Sequence, residues 1–326
     1  MQGEWKHKVL NVTDSGFENP ALELFRFQYN KNPVYQAYVN ALRVDPGSVN
    51  SIEKIPFLPI HFFKSHEIKT TEFDPEVIFE SSGTTGSINS RHLVKDKNWY
   101  TEVFTSIFEK NYGPISGYCI LGLLPSYLER NNSSLVYMVN SLMEKSNHPQ
   151  SGFYLDEYEK LFNVLSELEK QGQKTLLIGV TFGLLDFAEK YSLDLKNTII
   201  METGGMKGRR DEMIREDVHG ILKKAFDIPV IHSEYGMTEL LSQAYSKGDG
   251  IFKTPPWMRV LVRDDEDPLL KKQSGNGLIN IIDLANIYSC CFIATDDIGK
   301  LYTDGSFEVM GRMDGSDLRG CSLLAL

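Results

Sequence analysis

Between residues 77 and 232 one pattern repeats: a short apolar run, a turn, then a longer segment with apolar residues at helical spacing. The apolar runs are 77–79, 118–124, 176–180, 198–201 and 230–232, and the helical segments are 97–111, 135–145, 155–171 and 209–226. Parallel strands need such crossovers, so the alternation predicts an α/β sheet with helices covering its faces. The texture differs on either side. Upstream, Leu22, Phe25 and Tyr29, then Val34, Tyr38 and Leu42, keep helical spacing, and Pro56 and Pro59 break any helix to give a packed extended crossing. Downstream of 256, the runs MRVLVRD, GLINIID, CCFIATD, GKLYT and SFEVMGR are joined by Gly/Asp turns, which predicts a small C-terminal antiparallel β subdomain. The expected organisation is a helical segment over 1–75 packed on the core, an α/β core over 76–256, and a β subdomain with a mobile tail over 257–326.

Charge excludes one class of partner. Lys and Arg number 34 against 44 Asp and Glu, a formal net charge of −10, and there is no basic block to neutralise a nucleic-acid backbone. The acidic run at 264–267 reads as a solvated turn. The four cysteines, Cys119, Cys290, Cys291 and Cys321, are too few for a disulfide framework and form no zinc-type spacing. Cys119, Cys290 and Cys291 sit in apolar strand-like runs and read as packing residues, whereas Cys321 follows Gly320 close to the end, where chains are commonly exposed. The opening MQGEWKHKVL has no apolar core of a signal peptide, and the longest apolar stretch, 176–188, contains Thr181 and Asp186 and is too short to span a bilayer. A reduced, cytoplasmic protein without a membrane span is expected.

Three segments carry chemistry. Glu80-Ser81-Ser82-Gly83-Thr84-Thr85-Gly86-Ser87 follows an apolar run; its glycines let successive N–H groups converge and its hydroxyls add donors, which suits phosphate oxygens. An ordinary Ser/Gly/Thr turn has the same composition, and no G-K-[ST] follows as in a Walker A loop. In His232-Ser233-Glu234-Tyr235-Gly236-Met237-Thr238-Glu239, Tyr235 offers a flat face for a base and Gly236 room for close backbone approach. Thr238 is a hydroxyl donor, or equally a helix N-cap, and Glu239 is a hard oxygen ligand of the kind Mg²⁺ takes beside phosphates. In Thr295-Asp296-Asp297-Ile298-Gly299-Lys300, with Gly311-Arg312 downstream, a carboxylate braced by an Arg can accept from vicinal hydroxyls. Two hairpin turns would also account for this third segment, and Asp304-Gly305 is assigned to one.

The order Ser-Ser-Gly-Thr-Thr-Gly, then Glu202-Thr203-Gly204-Gly205, then Tyr-Gly-Met-Thr-Glu, then Asp297 and Gly311-Arg312, resembles the adenylate-forming enzymes over residues 55–326. Within that superfamily the IPFLPIHFFKSHEI approach, the ETGGMKGRR segment and the ending Asp317-Leu318-Arg319-Gly320-Cys321 resemble the LuxE-type acyl-protein synthetases, the synthetase component of bacterial fatty acid reductase. The resemblance implies that Ser81, Ser82, Gly83, Thr84, Thr85 and Gly86 cradle the phosphates of ATP. It implies that Gly204 and Gly205 line the adenine pocket beside Gly236, that Tyr235 stacks on the base, and that Thr238 reaches phosphate. Glu239 would hold Mg²⁺, and Asp297 and Arg312 the ribose hydroxyls. A fatty acid or other carboxylate would become acyl-AMP, and Cys321 would take the acyl group as a thioester for an accepting protein, reductase-like or a carrier.

Two departures accompany the resemblance. Larger relatives often place a Lys soon after the phosphate loop, where this chain has Arg91; they also carry a mobile lid domain with a catalytic Lys, whereas this sequence runs only 14 residues beyond Arg312. The expected fold is therefore an adenylate-forming α/β core without the lid, and Lys207, Arg209 and Arg210 are candidates for the replacement cation. Two other functions remain open on the residues alone: a small ligase delivering acyl groups to coenzyme A or a carrier protein, and a catalytically silent nucleotide-binding regulatory subunit. Phe182, Leu184 and Leu185 either line an acyl pocket or fill the core.

Overall fold

The computed structural model describes residues 2–81, 88–124, 132–204, 213–264 and 266–313. Two compact units divide the chain, one holding the described residues of Met1–Phe104, Gly236–Ala244 and Lys253–Ser316, the other those of Thr105–Tyr235 and Tyr245–Phe252.

The second unit is the α/β part. Its parallel strands lie in the order Gly152–Phe153, Cys119–Leu123, Thr175–Val180, Thr198–Thr203, His232–Tyr235. The three central strands are buried almost throughout, because a parallel strand covered on both faces needs a continuous apolar run. Helices Ser134–Ser146 and Tyr158–Gln171 fall within a few residues of their expected bounds, while Arg215–Phe226 ends at its expected 226 but starts later than the expected 209; residues 209–212 lie outside the described residues. Leu161, Leu165 and Leu168 form the buried stripe of the second, which ends at Gly172 with φ +67°, a conformation glycine adopts without steric cost. Helix Thr181–Lys190 has no counterpart in the sequence reading. It follows strand Thr175–Val180 with no loop residue between, so strand and helix together read as one apolar stretch. The corner is tight: a Cβ on Gly179 would lie 2.8 Å from the Leu184 side chain. The last strand is also displaced from its expected 230–232, since pairing with Met201–Thr203 begins only at His232.

The first unit packs helices on antiparallel strands. Strands Lys271–Lys272, Met258–Arg263, Gly275–Asp283, Phe292–Leu301 and Phe307–Arg312 pair in that order, and Leu58–Pro59, within the Pro56–Pro59 crossing, adds parallel to Phe292–Leu301. The runs CCFIATD and GKLYT, expected as two strands, form the single strand Phe292–Leu301. Its register against Phe307–Arg312 shifts between Ile298 and Gly299, where a Cβ would meet the Glu308 carbonyl at 2.5 Å. The segment 295–300 is thus strand rather than turn, whereas Asp304-Gly305 does turn, with Gly305 at φ +83°. Helices Glu18–Lys31 and Pro33–Ala41 seal one side through Phe25, Tyr35 and Phe292, whose ring centroids lie 6.0–6.3 Å apart. Helix Gln2–Leu10 precedes them, within the helical segment expected over 1–75. Cys119, Cys290 and Cys291 are buried free thiols, and burial pushes Cys119 up to about 11 and Cys290 to about 12. Among the described residues no helix is long and apolar enough to cross a membrane.

Candidate functional site

In the first unit, strands Val77–Glu80 and Arg91–Val94 pair antiparallel as a two-stranded sheet with Glu80 opposite Arg91. Ser81 and Ser90 continue this pairing: Ser81 N–H donates to the Ser90 carbonyl at 3.0 Å, and Ser90 N–H donates to Ser81 Oγ at 2.9 Å. Ser82, Gly83, Thr84, Thr85 and Gly86 lie outside the described residues.

The segment following Tyr235 is loop, with no helix for Thr238 to cap. Gly236 is exposed, Thr238 half-buried, and Glu239 fully buried. Three side chains far away in sequence hold this segment. His92 Nδ1 donates to the Thr238 carbonyl at 2.8 Å, and its Nε2 lies 3.1 Å from Asn286 Oδ1. Asn286 Nδ2 donates to the Glu239 carbonyl at 2.8 Å. Asp283 accepts from Leu241 N–H, Ser242 N–H and the Ser242 hydroxyl at 2.7–2.9 Å. Burial pulls the His92 pKa below its ordinary value, against the opposing pull of the Thr238 carbonyl, the Glu239 charge and Asn286. Sequence reasoning missed all three holders; each is a lone polar residue with no local pattern. Among the described residues no group of three or more His, Cys, Asp or Glu forms a metal cage. A single buried carboxylate suits instead a hard divalent ion that takes most of its ligands from substrate oxygens and water.

Asp297 and Arg312, fifteen residues apart, are directly opposite on neighbouring strands. Arg312 Nε donates to Asp297 Oδ1 at 2.8 Å, with both side chains at least nine-tenths buried.

In the second unit the strand ends carry two acids pointing to opposite faces. Glu202 accepts from the Ser233 hydroxyl at 3.0 Å, meets His219 Nε2 at 3.0 Å, and has Arg215 Nε at 3.7 Å. Burial works to raise the Glu202 pKa, but His219, Arg215 and Ser233 together bring it below the ordinary value. Arg215 and His219 stand four residues apart, one turn of helix, a signal the sequence offered and the reading did not use. Gly204 leaves the same strand at φ +72°; Gly205, Lys207, Arg209 and Arg210 lie outside the described residues. Tyr235 is buried, its ring 5.8 Å from Phe252. Glu234 accepts a hydrogen bond from the Thr203 hydroxyl, and burial raises its pKa to about 7 despite that bond.

This makes stability depend on pH. A carboxyl whose pKa is raised on folding adds stability that is full below its unfolded pKa and lost as pH rises through the folded value. Glu234→Gln removes that loss, so relative to wild type it is expected to gain about 2–4 kcal/mol between pH 5 and pH 8. Thermal melts across that range check it; a constant difference between the two proteins would exclude Glu234 as a titrating group there.

One unit with a helix-covered parallel sheet and another with antiparallel strands define a class. The fold is that of the adenylate-forming ligases. A solved structure of 2-hydroxyisobutyryl-CoA ligase in complex with 2-HIB-AMP and CoA matches with a TM-score of 0.67 at 11% identity, over 97% of this chain and 69% of that one. ATP-bound MatB from Rhodopseudomonas palustris matches at a TM-score of 0.55 and 14% identity, over 74% of this chain, and the match spans only about half (50%) of the MatB chain. The chain belongs to the LuxE acyl-protein synthetase family, whose pattern it matches from residue 13 to residue 325. The long-chain-fatty-acid–luciferin-component ligase of Vibrio harveyi is 24% identical to it over 324 residues, covering 92% of this chain and 84% of that protein.

Proposed function

We propose that this protein activates a fatty acid with ATP and transfers the acyl group to a protein thiol. The observation that carries the reading is the family match over residues 13–325. The carboxylate of the fatty acid attacks the α-phosphorus of ATP, giving acyl-AMP and pyrophosphate. A thiolate then attacks the acyl carbon, giving a thioester and AMP. The acyl group passes on to an accepting protein, in the cytoplasm, where thiols stay reduced.

The chain's own contribution is positioning and charge. Asp297, held rigid by Arg312, accepts from the ribose hydroxyls, and Thr238 donates to phosphate. Tyr235 and Gly204 border the base. Glu239 would hold Mg²⁺, which when bound neutralises phosphate charge. Ser81 and the loop it opens cradle the phosphates, and Phe182, Leu184 and Leu185, all buried, border the acyl chain.

Incubating the protein with radiolabelled fatty acids and Mg·ATP is the direct test. Label on the polypeptide supports the reading; label only on added coenzyme A makes it a small-molecule ligase, and no ATP–pyrophosphate exchange makes it a silent nucleotide-binding subunit. Asp297→Ala is expected to weaken ATP binding about 10- to 150-fold, since a charged hydrogen bond contributes about 1.5–3 kcal/mol. Asp296→Ala should do less, and equal effects in calorimetric titrations would place the ribose contact elsewhere.

A further inference from the structure

We propose that His92, acting with Asn286, is the positioning residue for the Thr238–Glu239 segment. It fixes the backbone from which Glu239 presents its carboxylate to a divalent ion. The inference rests on the function proposed above and adds a residue to it.

Both ring nitrogens of His92 are committed to this segment. Nδ1 donates to the carbonyl of Thr238, and Nε2 meets the amide of Asn286, which itself donates to the carbonyl of Glu239. Two successive carbonyls are therefore fixed by one imidazole and one amide. The segment is loop, so no ladder of its own sets the direction of the Glu239 side chain. His92 is 1% exposed, stands edge-on to the Phe63 ring at 5.9 Å, and borders a residual space of only about 10 Å³ shared with Trp99, Leu241 and Asn286. The ring has no room to swing away, and a side chain without polar atoms would take from the Thr238 carbonyl and from Asn286 Oδ1 their His92 partner. His92 also sits in strand Arg91–Val94, two residues from Ser90, so the sheet that carries Ser81 and the segment that carries Glu239 share one fixed point.

The test is calorimetric binding of the non-hydrolysable analogue α,β-methylene-ATP, in Mg²⁺ and in EDTA, to wild type, His92→Phe and His92→Gln. The expected result is that His92→Phe loses most of the Mg²⁺-dependent gain in affinity, about 10-fold, and keeps its affinity in EDTA. His92→Gln, whose amide still donates to the Thr238 carbonyl, should recover most of the loss. Equal binding by wild type and His92→Phe in Mg²⁺ overturns the inference, as does a loss of the same size in both media, which marks a structural role only. If His92→Phe does not fold, Asn286→Ser cuts the link to Glu239 and must show the same Mg²⁺-selective loss. A folded wild type that binds no nucleotide in either medium overturns the proposed function and this inference with it.

Discussion

Glu239→Gln is expected to lower carboxylate-dependent ATP–pyrophosphate exchange by about 100-fold or more, the scale seen when a charge-stabilising group is removed from a transition state. Gln keeps the size of the side chain and removes its charge. Glu239 is fully buried, and burying a charge costs free energy that a neutral amide of the same size does not, so the melting temperature is expected to hold or rise. The combination of lost exchange with retained stability separates a ligand role from a structural one. Exchange that is unchanged at limiting Mg²⁺ would remove Glu239 from the site.

Cys321→Ser is expected to abolish the hydroxylamine-sensitive label on the polypeptide while acyl-AMP formation continues. A hydroxyl is a far weaker nucleophile than a thiolate. The other three cysteines are poor substitutes, being buried with their thiol pKa values raised. Cys321 lies outside the described residues; ten residues separate it from Gly311, a reach of at most about 35 Å. Full labelling of the variant would remove the thioester from Cys321.

What the sequence conveyed depended on how local the physics was. The central strands were legible because burial on both faces writes itself into consecutive apolar residues. Helix Thr181–Lys190 was not, because it abuts a strand and is itself mostly buried, which erases the helical period. Strand Phe292–Leu301 read as two pieces because Thr295, Asp296 and Asp297 interrupt its apolar run. Their polarity is accommodated by partners elsewhere: Thr295 donates to the Ile279 carbonyl, and Asp297 accepts from Arg312. The same rule governs the site. Asp297 and Arg312 were paired by a motif and are paired in space. His92, Asp283 and Asn286 act on residues 41 to 194 positions away, and nothing in their own neighbourhoods announces it.

Those long separations set an order of assembly during synthesis. Residues 238–242 leave the ribosome more than 40 residues before Asp283, which holds Leu241 and Ser242, and Asn286, which holds Glu239. Until residue 286 has emerged, the Glu239 carbonyl lacks the Asn286 amide, and the His92 ring lacks its second partner. A nascent chain stalled before that point can form the parallel sheet, whose contacts are more local, yet lacks the Asn286 hold on the loop. On the proposed function, competence to engage a nucleotide therefore waits for residue 286, and a product truncated before it is expected to bind ATP poorly.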